Sequence, residues 1–423
     1  MKYIVDFHIH SKYSRATSPQ MNLEVLDEFA RIKGINVLAT GDFTHPEWFK
    51  NLKQKLEPAE QGLYKLKKNA NKQSARFILT SEISCIYSKA GKVRKIHIIV
   101  LAPSLTVVEK INMKLAKIGN LKADGRPILG LDAKELTKIV LDVSKDCLVI
   151  PAHCMTPWFG LFGSKSGFDS MEECFEEYTK YIFAVETGLS ADPSMLCRIP
   201  DIRNVCLLSN SDAHSPAKLG REANVFQGKE ISYQAITQAI KNKSRFGQGQ
   251  SSAILELLYT IEFYPQEGKY FNDGHRQCDV NLSSNESKKY NNICPNCGKP
   301  LTVGVMNRVE QISDKPQGFK SKNFVPFKSL IPLREIIAEC VGTGVATKRV
   351  TEQYNNLIKN FENEFNILLN VSQSDLCSAT LSQIAEGIIK ARNGDINIEP
   401  GYDGVFGKIK IFSKKREQCN MLS

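Results

Sequence analysis

Short β-branched runs alternate with longer amphipathic stretches over the first half of the chain. The runs fall at 3–10 (YIVDFHIH), 36–40 (NVLAT), 77–82 (FILTSE), 96–101 (IHIIVL), 147–152 (CLVIPA), 182–186 (IFAVE) and 205–210 (VCLLSN). Between them, segments such as MNLEVLDEFARIKG (21–34) carry apolar residues at helical spacing and close on a glycine. Buried strands alternating with helices predict a parallel sheet, either open or closed into a barrel. Seven strands, nearly every one ending in a polar or metal-capable group, favour the barrel, whose strand ends meet in one mouth. Residues 216–258 add one or two helices, SYQAITQAIKNK among them.

Beyond this point the pattern changes. Residues 270–305 are polar, turn-rich and cysteine-bearing. The stretch 324–331, with prolines at 326 and 332, reads as a linker. Long helical periodicity then runs over 333–391, and 396–412 reads as a turn followed by a short strand. Composition alters this picture little: 423 residues, 42% hydrophobic and 24% charged, are ordinary for two or three folded domains. A net charge of +11 attracts polyanions. No apolar run is long enough to cross a membrane, and Asp6, His8 and His10 break the first apolar stretch before it resembles a secretory signal. The expectation is a cytoplasmic, nucleoid-associated protein with reduced thiols and no membrane contact.

Candidate chemistry collects at the strand ends. Alternation along the first run places Asp6, His8 and His10 on one face. Asp42 and His45 follow in GDFTHP, then Glu82, His97, His153, and Asp212 with His214 in SNSDAHS; six of the seven histidines fall in this set. Imidazole with carboxylate binds zinc, manganese or iron, and a bridging carboxylate is typical of multinuclear centres. Such a centre lowers the pKa of a shared water and clamps a phosphoryl group, so the chemistry points to phosphoester hydrolysis. No Ser–His–Asp order or Walker loop competes with it.

In their order, these motifs resemble the PHP (polymerase and histidinol phosphatase) superfamily over about residues 1–215. The resemblance implies a distorted (β/α)7 barrel. It implies a first metal among His8, His10, Glu82 and Asp212, and a second among Glu82, His97 and His153. A third would lie between His214 and the Asp42/His45 element. Catalytic roles fall on Asp212, Glu82 and His10. Two departures weaken the third set: Ala16 stands where a further ligand is common, and Asp42 and His45 are separated where the family has an adjacent pair.

Downstream, Cys294-Pro-Asn-Cys297 has zinc-knuckle spacing, and His275 and Cys278 lie sixteen and more residues before it. A structural Cys3His zinc site is expected. A redox CxxC would need a thioredoxin-like strand–helix context, which is absent. The turn VGTGVATKRV, with Gly342, Gly344 and Lys348, resembles the phosphate-gripping turn of a helix–hairpin–helix motif, although a glycine C-cap explains it as well.

Basic PHP barrel, zinc element and a helical region ending in PGYDGVFGKI: this order resembles the endonuclease Q family, with GDFTHPEW, ETGLSADP and SNSDAHSP as specific local matches. The expected organisation is a PHP barrel over 1–258, a zinc-binding domain over 259–322 and a mainly helical DNA-binding domain over 323–423. The resemblance implies nicking of DNA 5′ to deaminated bases (hypoxanthine, uracil, xanthine) and abasic sites after base flipping. Zn2+ would sit in the catalytic cluster and the structural site, with Mg2+ or Mn2+ supporting activity. Damaged DNA is the expected partner of a monomer; a sliding clamp is a further candidate, although the tail carries no clear clamp motif. Contacts to DNA are expected from Trp158, Phe159, Phe162 and Lys165, from Glu186, Thr187 and Ser190, and from the basic run Lys89, Lys92, Arg94 and Lys95. A small-molecule phosphatase, a 3′→5′ exonuclease and an inactive scaffold are the competing readings.

Overall fold

The computed structural model describes residues 1–67, 74–244, 254–320 and 325–412. They form two compact units. The first comprises Met1–Arg31, Ile35–Glu262 and Val305–Lys328, and the second Ile32–Gly34, Phe263–Gly304 and the residues from Ser329 on. These units are drawn differently from the expected 1–258, 259–322 and 323–423. The cysteine element groups with the C-terminal helices, and the chain returns to the first unit after leaving it.

All seven expected strands are present in the first unit: β1 (Lys2–Asp6), β2 (Val37–Ala39), β3 (Arg76–Lys89), β4 (Lys92–Ala102), β5 (Leu148–Pro151), β6 (Ala184–Glu186) and β7 (Cys206–Leu208). β1 pairs parallel with β2, and β2 parallel with β3. β3 and β4 form a long antiparallel hairpin, and β4 runs antiparallel to β5. The Cys154 N–H donates to the Glu186 carbonyl, β6 and β7 pair parallel, and a parallel bridge between Ile9 and Ala213 returns the ring to β1. The result is a distorted seven-stranded PHP barrel in which one strand, β4, is reversed. The wholly parallel sheet is corrected at that point. β8 (Ala223–Gly228) adds antiparallel to β1, and β9 (Leu255–Glu262) to β8.

The barrel interior is aliphatic, with Val5, Val37, Ile78, Ile99, Leu148, Ile150, Leu208 and Phe226 all buried in one cluster. Helices cover it through their apolar faces. In α1 (Leu23–Lys33), Leu23, Leu26 and Ala30 are buried. In α2 (Ala133–Val143), capped by the Asp132 carboxylate, Leu136 and Val140 are. The segment read as a linker instead contributes an edge strand, Phe327–Ser329, with the Thr260 N–H donating to the Pro326 carbonyl.

In the second unit, a short hairpin of Asp273–His275 and Val280–Leu282 carries the cysteine element. Helices Leu333–Val341, Lys348–Phe361, Glu364–Leu369, Gln373–Ala379 and Ser382–Asn393 follow, then a hairpin of Asn397–Glu399 with Lys408–Lys410. Among the described residues, no helix is long and apolar enough to cross a membrane.

Candidate active site

His8 and His10 leave β1 just past its last residue, on a strand whose backbone stays extended to the Ile9–Ala213 bridge. Alternation aims both rings inward, as expected. Glu82 and His97 come from the middle of β3 and β4, where the hairpin passes the rim, rather than from strand ends. His153 and Asp212 sit in the turns after β5 and β7. Both hold left-handed backbones, φ +30° and +46°, a conformation that branched side chains avoid and that concentrates at functional sites.

The structure brings two donor sets together around one carboxylate. His8, His10, Glu82 and Asp212 form the first, and Glu82, His97 and His153 the second, with the donor atoms of each set within 4.8 Å of one another. Oε2 of Glu82 lies 3.2 Å from Nε2 of His10, while Oε1 lies 2.7 Å from Nδ1 of His97 and 3.0 Å from Nε2 of His153. Oδ1 of Asp212 is 3.1 Å from Nε2 of His10 and 3.7 Å from Nε2 of His8. Nε2 of both histidines and Oδ1 of Asp212 are buried and make no hydrogen bond of acceptable angle. Three buried polar atoms converging without hydrogen bonds incur a large desolvation penalty, and a divalent cation is the group whose chemistry fits them.

Behind the donors, a second layer holds the rings. Nδ1 of His8 faces Glu186 at 3.0 and 3.2 Å, and the Glu186 carboxylate also accepts the His153 backbone N–H at 2.7 Å and the Asn210 amide at 2.8 Å. Nδ1 of His10 faces Asp42 at 3.1 Å and Ser14 at 3.1 Å. These partners put the hydrogen on Nδ1 and leave the Nε2 lone pair for the centre. Nδ1 of His153 is held by the Thr156 hydroxyl at 2.9 Å.

Electrostatics agree with a cation site. Burial alone would push the His8 imidazole down, but the carboxylates of Glu186, Glu82 and Asp212 outweigh it and hold it well above its ordinary value. His10 is likewise raised against its burial, by Asp42, Asp212 and Glu82. For His97 burial wins over Glu82, and its pKa falls to about 4, so its ring is a neutral donor at pH 7.

The expected third set is not assembled. The Asp42 carboxylate accepts the Ser11 N–H at 2.6 Å and the hydroxyls of Ser11 and Ser14 at 2.7 and 2.9 Å, in addition to facing His10. Its Oδ2 thus accepts three hydrogen bonds, while Oδ1 faces His10. His45 occupies the N-cap position of the helix Pro46–Lys55 without a side-chain capping bond, and stacks on Tyr13, 4.4 Å between centroids and 21° between planes. His214 turns its Nδ1 to the Asp212 carbonyl at 2.9 Å. Gly125 is what lets the neighbouring loop close over Asp42, since a Cβ there would meet Oδ2 of Asp42 at 2.4 Å.

That loop supplies Arg126, which the sequence did not single out. Its guanidinium lies 3.2 Å from Oε2 of Glu82 and keeps a quarter of the side chain exposed.

Of the expected DNA contacts, Trp158 and Lys165 are exposed, Trp158 by 51%. Phe159, half-buried and with φ +69°, lies 4.3 Å from the His97 ring. Lys95 places its ammonium 4.9 Å over Trp158. Phe162 is fully buried and packs the loop, and Glu186 and Thr187 are buried too, the latter bonded to the Leu208 carbonyl and Glu262. Those three cannot reach a nucleic acid, whereas Ser190 is half-buried. In the basic run, Lys89 is committed to Glu176 and Arg94 stacks on Phe168, while Lys92 stays exposed. In the second unit, His275, Cys278, Cys294 and Cys297 gather with their donor atoms within 4.8 Å. Gly342 (φ +65°) caps Leu333–Val341 as an ordinary left-handed C-cap, and Gly344 and Lys348 stay exposed at the start of the next helix.

Comparison with known proteins decides the family. The endonuclease Q of Pyrococcus furiosus, described as a novel lesion-specific endonuclease, superposes with a TM-score of 0.84 at 30% identity over the whole of both chains. An endonuclease Q bound to a 27-mer duplex with an abasic lesion at its active site gives 0.82 at 31% identity, over 99% of this chain and all of that one. The chain belongs to the endonuclease Q family. Among curated proteins, Bacillus subtilis YqxK is 29% identical over 97% of this chain and 99% of its own. MJ0043 of Methanocaldococcus jannaschii is 36% identical over 63% of this chain, a match that spans only 32% of that longer protein. Residues 332–395 match the family model of the MJ0043 C-terminal domain.

Proposed function

We propose that this chain is a metal-dependent DNA repair endonuclease that hydrolyses the phosphodiester 5′ to a damaged nucleotide. Its substrates are deaminated bases (hypoxanthine, uracil, xanthine) and abasic sites. One observation carries the reading. Two buried imidazole–carboxylate sets share Glu82, in a chain that matches a lesion-specific endonuclease from end to end.

His8, His10, Glu82 and Asp212, and Glu82 with His97 and His153, would hold divalent ions, which when bound would supply Lewis acidity for phosphoester hydrolysis. The chain's own residues do the rest. Glu186 and Asp42 hold the His8 and His10 tautomers, and Arg126 offers its exposed edge to a phosphate oxygen beside Glu82. Trp158 and Lys165, with Phe159 behind them, face the strand at the mouth, and Gly344 and Lys348 meet the backbone elsewhere. Zn2+ fits the Cys3His set as a closed structural site, with Mg2+ or Mn2+ supporting turnover. A monomer suffices. The clamp candidate rests on 413–423, outside the described residues.

The test uses end-labelled duplexes carrying one deoxyinosine, one uracil, one abasic site or no lesion, with Mg2+ or Mn2+. A single nick 5′ to the lesion is expected, absent from intact DNA and lost in Asp212→Ala. A ladder shrinking from every 3′ end would instead mean an exonuclease, and phosphate release from small monoesters without nicking a phosphatase.

A further inference from the structure

The second unit carries a large aromatic side chain that the fold leaves outside. Phe406 is 68% exposed and its neighbour Val405 38%. They sit at the tip of PGYDGVFGKI, between the strands Asn397–Glu399 and Lys408–Lys410. A lone exposed apolar residue needs no explanation when its loop is slack. This loop is not slack.

Its backbone is bonded to the Gln266–Asn272 segment at four points: Asn272 N–H to the Gly401 carbonyl, Gly401 N–H to Gln266, Gly404 N–H to Lys269 and Gly407 N–H to Glu267. Side chains add three more bonds. The Tyr402 hydroxyl donates to Asp279 at 2.6 Å, and Asp403 accepts the Thr302 hydroxyl at 2.6 Å and the Arg276 N–H at 2.7 Å. A Cβ at Gly407 would clash with the Gln266 carbonyl, so the loop and the 265–267 turn touch backbone to backbone. All of this bonding holds Val405 and Phe406 pointing out of the unit.

Charge around the tip is sorted. Lys269 places its ammonium 5.6 Å from the Tyr270 ring and 5.8 Å from the Phe406 ring. Lys269, Arg276 and Lys408 are exposed. Several nearby acids are bonded within the unit: Asp279, itself exposed, to Tyr402, Asp403 to Thr302 and Arg276 N–H, and buried Asp273 to Ser287 and the Gly304 N–H, while Glu267 is partly buried beside them. Glu399 pairs with Lys410.

We propose that Phe406, backed by Lys269 and Tyr270, is a stacking platform for an unstacked nucleobase of DNA, a contact separate from the metal centre. A rigid ring with cations at its edge matches a ligand that is flat and apolar at the base and anionic at the backbone. Stacking of this kind is tolerant of sequence and contributes affinity rather than base readout. The proposal rests on the DNA reading above.

The test measures binding of the zinc-loaded full chain by fluorescence anisotropy. The ligands are an undamaged single-stranded oligonucleotide and a duplex with one abasic site, and every variant is built on Asp212→Ala so that the DNA stays intact. Phe406→Ala should weaken binding about tenfold or more, the range of one base–aromatic stack. Phe406→Trp should restore it. Lys269→Ala should weaken it less and lower the salt dependence by about one counterion. Binding by Phe406→Ala within twofold of its parent would overturn the platform while leaving the endonuclease reading intact. So would a melting temperature lowered by several degrees with affinity kept, because the ring would then be packing against protein. Failure of the parent itself to bind either DNA would overturn both.

Discussion

Asp42 shows how much a single residue's meaning depends on what it faces. Its type and spacing suggested a metal ligand, yet its oxygens are consumed by Ser11, Ser14 and the far side of the His10 ring. These contacts make it a candidate positioning residue behind His10. Asp42→Asn keeps the size but replaces one acceptor oxygen with a donor, so the His10 tautomer is no longer enforced. Metal content after dialysis, read by mass spectrometry, should fall with an affinity loss of about 10–100-fold. Nicking should recover at higher metal concentration, which it would not do if Asp42 touched the substrate. At this scale the sequence exposed donors well and second-layer partners poorly. His8, His10, Glu82, His97, His153 and Asp212 stood out because histidine is scarce and concentrated at the barrel rim. Arg126 did not, because one arginine in a Gly/Pro loop has no spacing that marks it.

Among elements, the β3–β4 hairpin departs most from the alternating pattern. Thirteen residues separate the runs at 77–82 and 96–101, enough for a short crossover, but both strands continue through them to Lys89 and from Lys92. The turn between them is Ala90 and Gly91, with φ +51° and +71°, the two-residue geometry whose twist suits a hairpin. The apolar runs marked where each strand enters the core but not how far it continues past it. Strand β9 carries a different consequence. Glu262 is buried, bonded by the Thr260 and Thr187 hydroxyls, and burial raises its pKa from 4.5 to about 8. The folded state therefore holds this proton where the unfolded chain has released it. Its contribution is complete at low pH and is lost as pH rises from about 4.5 through 8. Glu262→Gln should flatten that slope. Urea unfolding at pH 5.5 and 7.5 should show the variant gaining on the parent at the higher pH by a few kcal/mol, on the order of 1.4 per pH unit.

At the level of the whole molecule, composition forecast a polyanion partner, and affinity for DNA should fall log-linearly with salt, with a slope near 0.9 per phosphate contacted. A slope near zero would remove the electrostatic part of the reading. The set of His275, Cys278, Cys294 and Cys297 belongs to the second unit, where it adjoins a small cluster of Val280, Cys294 and Leu301. Cys294→Ser should lose about one zinc per chain and lower a calorimetric transition by several degrees while the barrel's transition stays in place. Domain order was legible from composition shifts; the return of the chain was not, because nothing in the pattern of 305–328 distinguishes a helix of one unit from a helix of the other. That return has a consequence for the gene. Helix Val305–Ile312 lies beyond the zinc element, yet its Arg308 donates to the carbonyls of Phe162 and Phe168 and pairs with Asp169 in the barrel. A stop codon or recombination junction near 258 would therefore cut away part of the barrel unit itself, stranding the loop that follows His153. Exchange of parts between homologues would have to spare 305–328, which makes this coding sequence a poor donor of modules and favours its inheritance in one piece.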